Sequence, residues 1–139
     1  MSRLIKSAST SQSTVIRILD STTFLPEEAV EHNSTGIALW YRREGATKTA
    51  ITPAALATLD AAWTSGGIEH IGDGYYRLDV PDAAFAASAT GVAIGGAFDD
   101  MIVIGSYHQL VAFDPDAMAN LGLTDLTNIK AIIQANSQH

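Results

Sequence analysis

The chain contains no cysteine. Disulfide frameworks, thiolate nucleophiles, cysteine-type zinc sites and iron–sulfur clusters are excluded together. The redox compartment stays open, because a cysteine-free chain is stable in either. Positive charge is also scarce: eight Lys and Arg stand against 15 Asp and Glu, a formal net charge of −7. Nucleic acid and anionic membranes attract the opposite balance, so neither is expected as a partner. Apolar runs are short. Met101 to Ile104 ends at Gly105, far below the ~20 residues of a membrane-spanning helix. Arg3 and Lys6 lie near the N-terminus, but residues 7–14 are rich in Ser and Thr, so no secretory signal is expected.

What is present suits one folded domain. Hydrophobic residues make up 47% of the 139, which separates the chain from disordered sequences. A chain of this length buries roughly two thirds of its unfolded surface and needs no covalent or metal staple.

Residues 1–13 read as a polar arm whose large apolar residues after Met1 are Leu4 and Ile5. It is either a frayed terminus or an arm that orders on a neighbouring subunit through those two side chains. Val15 to Leu19 is β-branched and reads as a strand; residues 24–34 read as an acidic loop. Gly36 to Arg43 alternates, with Ile37, Leu39 and Tyr41 on one face and Ala38, Trp40 and Arg42 on the other. Arg43-Glu44-Gly45 turns the chain back into a strand at Lys48 to Ile51. Thr52 as a cap and Pro53 at the first helical position predict an α-helix over about 53–63, with Leu56, Leu59 and Trp63 as its apolar stripe. Ile68 to Ile71 and Gly74 to Val80 form a hairpin about Gly72-Asp73-Gly74. Tyr76, Leu78 and Val80 should face inward, and Tyr75, Arg77 and Asp79 outward. Thr90 to Phe98 reads as a strand bent at its glycines.

Met101 to Phe113 is a long β segment broken at Gly105. Ile102, Ile104, Leu110 and Ala112 share one face; Met101, Val103, Tyr107, Val111 and Phe113 share the other. A surface strand of a monomer carries one polar face, and this one has none. Either it is covered on both sides, with the 53–63 helix as one cover, or one face meets another subunit. Beyond Asp114-Pro115, Thr124 or Asp125 caps a helix to about Ala135, with Leu126, Ile129 and Ile133 spaced as a seam. So short a helix needs a partner, either its own domain or a bundle of identical helices. The expected fold is mainly β: an antiparallel β-sandwich with one inserted α-helix and a short C-terminal helix. The expected division is an arm (1–13), the sandwich (14–113), and a linker with the last helix (114–139).

No chemistry converges. His32, His70, His108 and His139 lack metal-ligand spacing. Glu27-Glu28 and Asp99-Asp100 are adjacent carboxylates in loops and do not match the opposed pair of a glycosidase. Nucleophile-elbow and phosphate-loop motifs are missing. No catalytic residue, metal or cofactor is therefore assigned. Trp40 and Tyr75, on outward faces, are candidates for stacking on sugar. Leu4, Ile5, Met101, Val103, Tyr107, Leu126, Ile129 and Ile133 are the candidates for subunit contacts. Arg3 and Lys6 make the arm basic, whereas Asp20, Glu27, Glu28 and Glu31 make the following loop acidic, a complementarity that identical subunits could use.

One stretch goes beyond generic patterning. The run Gly72-Asp73-Gly74-Tyr75-Tyr76-Arg77-Leu78-Asp79-Val80-Pro81-Asp82 resembles a signature of small β-sandwich modules in tailed-bacteriophage structural proteins. The hairpin from Leu39 to Gly45, the segment from Ala50 to Gly67 and the apolar strand near Met101 follow the same pattern in order. The resemblance covers roughly Val15 to Phe113. It implies a virion building block without an active site, assembled in the bacterial host cytoplasm. Its partners would be itself, as a homo-oligomer with a trimer favoured, and other virion proteins of the tail, baseplate or fibre attachment. The alternatives are a module binding host-surface glycan and a head-attached fibre or decoration protein.

Overall fold

The computed structural model of the chain describes residues 2–116 and Gln134. The described residues form one sheet of ten strands. In chain order these are β1 (Ser2–Lys6), β2 (Ser13–Asp20), β3 (Ala38–Arg43), β4 (Lys48–Ile51), β5 (Ala54–Ala55), β6 (Gly67–Gly72), β7 (Tyr75–Asp79), β8 (Gly91–Phe98), β9 (Met101–Ile104) and β10 (Ser106–Val111). A 3₁₀ turn, Asp82–Phe85, follows β7.

Alternation explains most of the strands. Leu39 and Tyr41 of β3 are buried while Ala38 and Arg42 are exposed. Tyr76, Leu78 and Val80 are fully buried, as expected from their period of two. The β6–β7 hairpin turns through Asp73 and Gly74, at φ +53° and +79°. Two consecutive left-handed residues are what a type I′ turn requires, and they match the twist of the strands they join.

The sheet has two wings. β4, β3, β8, β10 and β1 pair in that order on one side, and β9, β2, β7, β6 and β5 on the other. They meet through β8 and β9. Ile16, Ile18, Leu78 and Tyr76 from one wing join Leu39, Val92, Ile94, Leu110 and Ile5 from the other in one buried cluster. Each such side chain contributes about 1.5–3 kcal/mol by leaving water.

The bend at Gly105 also reverses the faces of the strand. Met101 and Val103 pack against the core before it, whereas Ser106, His108 and Leu110 are buried after it. Gly105 is thus the extra residue of a bulge. Only glycine fits, because a Cβ there would overlap the carbonyl oxygen of Ile94. At this point the sheet forks. β2 stays paired to β9 from Arg17 to Asp20, while β10 takes β1 as its parallel neighbour.

Four expectations need correction. First, 53–63 is not an α-helix; it is the two-residue strand β5 followed by turns. Distant partners take its backbone: Ala54 N–H donates to Gly66 O, and the Arg77 guanidinium donates to Leu59 O and Ala61 O at 2.6 and 2.9 Å. These long-range contacts hold the segment in an extended and turn conformation against its local helical preference. Leu59 is accordingly exposed, whereas Leu56 of the same predicted stripe is buried. Second, Asp79 shares the face of Arg77 and pairs with it, but it is fully buried there, bonded to Ser13 and Thr64. Third, residues 2–6 are a strand of the sheet, with Ile5 in the chain's own core and Leu4 outside it. Fourth, Met101 and Val103 face the core, so Ile102 and Ile104 form the outward face. The expected C-terminal helix, with Leu126, Ile129 and Ile133, lies outside the described residues.

Candidate functional site: a groove at the fork

Where β1 and β2 part, a groove of about 530 Å³ opens. β1 contributes Arg3, β2 contributes Ser13, Thr14 and Val15, and β10 contributes His108. The far wall is Arg77 of β7 with Ile71 and Leu59. Fork, register and bulge together gather these residues from six separate parts of the chain.

Arg77 and Asp79 fix that wall. The guanidinium meets the Asp79 carboxylate through Nε and one terminal nitrogen, each at 2.8 Å. Asp79 also accepts from Ser13 Oγ at 2.6 Å and from the Thr64 amide at 2.9 Å. Burial pushes the carboxyl up, but the bonds from Arg77, Ser13 and Thr64 outweigh it and hold it below its ordinary value. The pair ties β7, β2 and the 59–64 segment together and leaves Arg77 electrically compensated.

Beneath the groove runs a buried polar chain. Thr14 Oγ1 donates to Ser106 Oγ at 3.1 Å, and Ser106 Oγ lies 2.9 Å from His108 Nε2. His108 is 2% exposed and stands edge-on to Phe85, with ring centroids 5.6 Å apart. Its Nδ1 is buried without a hydrogen-bond partner. Desolvation, reinforced by the charge of Arg3, lowers its pKa to about 4. Ser106 and His108 have the spacing of a nucleophile and base, but no carboxylate orients Nδ1 among the described residues, and so low a pKa makes a weak base at neutral pH. Composition gave no sign of this chain of contacts. The signal lay in the alternation of Ser106 and His108 on one strand face, once the bulge is counted.

Arg3 differs from Arg77. Its guanidinium donates to Gln12 Oε1 and Ser13 O, both at 3.0 Å. No carboxylate pairs with it among the described residues.

The other candidates are dispersed. Trp40 is half-buried over Gly95, with the Lys48 ammonium 5.8 Å from its ring. Tyr75 is 36% exposed, with the Arg17 guanidinium 4.8 Å from its ring. β8, β9 and β2 separate the strands that carry them, so the two do not form one platform. Tyr107 is exposed and lies over Gly91. Ile102 and Ile104 are 38% and 44% exposed. A second recess of about 310 Å³ collects Glu28, Glu31, Glu69, His32 and His70; among the described residues no three such side chains are arranged to hold a metal ion. No helix among the described residues is long and apolar enough to cross a membrane.

Comparison of the chain with protein-family models, with curated proteins and with solved structures finds no match.

Proposed function

We propose that this chain is a non-enzymatic structural module of a tailed-bacteriophage virion, working as a homo-oligomer in the tail, baseplate or fibre attachment. The observation that carries the assembly reading is the outward face of β9. Ile102 and Ile104 stand on it more than a third exposed, opposite Leu19 and Arg17 of β2, and the 53–63 segment does not cover them. We read these two side chains as the centre of a subunit contact. The phage reading rests on the ordered resemblance of the Gly72–Asp82 run and the segments around it. In this reading the two wings pack face to face as an antiparallel β-sandwich, and three copies are the expected stoichiometry.

Light scattering at micromolar concentration tests the assembly. The expected mass is a multiple of 14.7 kDa, reduced toward the monomer by Ile102→Glu with Ile104→Glu. A wild-type chain that is monomeric overturns the reading. Its place in the virion, including the alternative of a head-attached decoration, is tested by imaging particles that carry a labelled copy. Glycan binding ranks second, because Trp40 and Tyr75 are set too far apart to act on one sugar face. A glycan array is its test.

A further inference from the structure

We propose that the fork groove is a strand-addition site. An extended peptide segment of a partner protein would pair with the open edge of β2, seat an aliphatic side chain against Leu59 and Ile71, and place a carboxylate on Arg3.

The open edge follows from the register. Gln12 O accepts from Val80 N–H, and Ile18 N–H donates to Gly74 O. Even-numbered residues of β2 therefore direct their backbone groups toward β7. By the alternation of an antiparallel ladder, Ser13, Val15 and Arg17 direct theirs to the opposite edge. There Arg17 lies opposite Ile104 of β9, and Ser13 O is taken by Arg3. Ladder pairing with β9 stops at Arg17; β10 pairs with β8 and β1 instead and touches β2 through the side-chain bond from Thr14 to Ser106. The N–H and C=O of Val15 thus point away from β7 on the side of the groove that Val15 lines, and we infer that they are the strand edge offered to another chain.

Charge selects the occupant. The chain is net acidic, yet the groove lining contains no Asp or Glu and two arginines. Asp79 compensates Arg77. Arg3 bonds neutral acceptors and has capacity for a carboxylate, either a peptide C-terminus or an acidic side chain. Val15, Leu59 and Ile71 supply the apolar wall. Donor, acceptor, apolar wall and cation in one groove match an extended peptide better than a fatty acid, which would leave the Val15 amide unused.

The proposal is independent of the virion reading; a monomeric mass in light scattering would overturn that reading and leave this one standing. The test is amide hydrogen exchange on the full-length, ¹⁵N-labelled chain. The probe is the hexapeptide acetyl-Thr-Val-Thr-Val-Thr-Val with a free C-terminal carboxylate. In the free protein the Val15 amide should exchange faster than those of Thr14 and Ile16, and the peptide should slow it. The C-terminal amide of the peptide, or Arg3→Gln in the protein, should weaken binding about tenfold. A peptide N-methylated at alternate residues should not bind, a control that leaves the protein's own fold untouched. The proposal is overturned if Val15 is already as protected as its neighbours, if acid and amide peptides bind alike, or if the peptide at ~1 mM leaves Val15 unchanged. It is equally overturned if decanoate occupies the groove and the peptide does not.

Discussion

His108 and Asp79 give acid two separate points of attack. His108 is held neutral, at about 4 in the folded chain, against ~6.5 when unfolded. Its contribution is complete above about pH 6.5 and is lost as pH falls toward 4, because only the unfolded chain takes up the proton in that interval. The loss should reach about 3 kcal/mol in urea titrations between pH 7 and 4. His108→Gln should flatten that interval. Asp79 is lowered by its partners, so its contribution is present above the unfolded value near 3.9 and is lost below it. Asp79→Ala strands Arg77 and should cost about 3–5 kcal/mol at pH 7 in the same titration. Gly105→Ala should cost about 1–3 kcal/mol or more by overpacking against Ile94 O. Gly105 was readable as a bend, but the change of face it causes was not. A period-two pattern does not say whether the residue at a bend is counted in the ladder or left out of it, and that choice turned Met101 and Val103 inward.

At the level of elements, the sequence is legible where the partners of a segment are its neighbours. The β3–β4 and β6–β7 hairpins are of this kind, with turn residues and alternation in one short window. The 53–63 segment is the opposite case. Thr52 and Pro53 are sound helix-start signals, but Arg77 claims Leu59 O and Ala61 O, and Trp63 Nε1 donates to Gln12 O at 3.1 Å. Contacts from that far along the chain outweigh local preference and leave no trace in the window. The groove was illegible for the same reason, since β1, β2, β7 and β10 build it jointly. Arg77→Lys should test the clamp. A lysine cannot reproduce a two-nitrogen grip on Asp79 while also bridging two carbonyls. Limited proteolysis should then cut within 56–65 well before the rest of the chain, with the sheet's circular dichroism retained. Equal resistance to protease in variant and wild type would show that Arg77 does not hold the loop.

For the molecule as a whole, the force that drives assembly can be read from its response to conditions. An interface built on Ile102 and Ile104 should survive ~0.5 M salt, which screens surface charge, and should weaken on cooling. An interface built on the basic residues 3–6 and the acidic 20–31 loop should dissolve in the same salt. Sedimentation at two salt concentrations and two temperatures separates them. The parallel pairing of β1 with β10 has a consequence in time. β1, the first strand described, is bonded to β10, the last, so most of the described chain lies between the two partners. Until β10 is in place, Ile5 has no strand pairing to hold it in the core, and β8 lacks its neighbour from Gly91 to Ile94. Closure of β1 onto β10 should therefore be a late step of folding, as expected for a contact of high sequence separation, and a chain truncated before Ser106 should retain the β6–β7 hairpin but lack the groove.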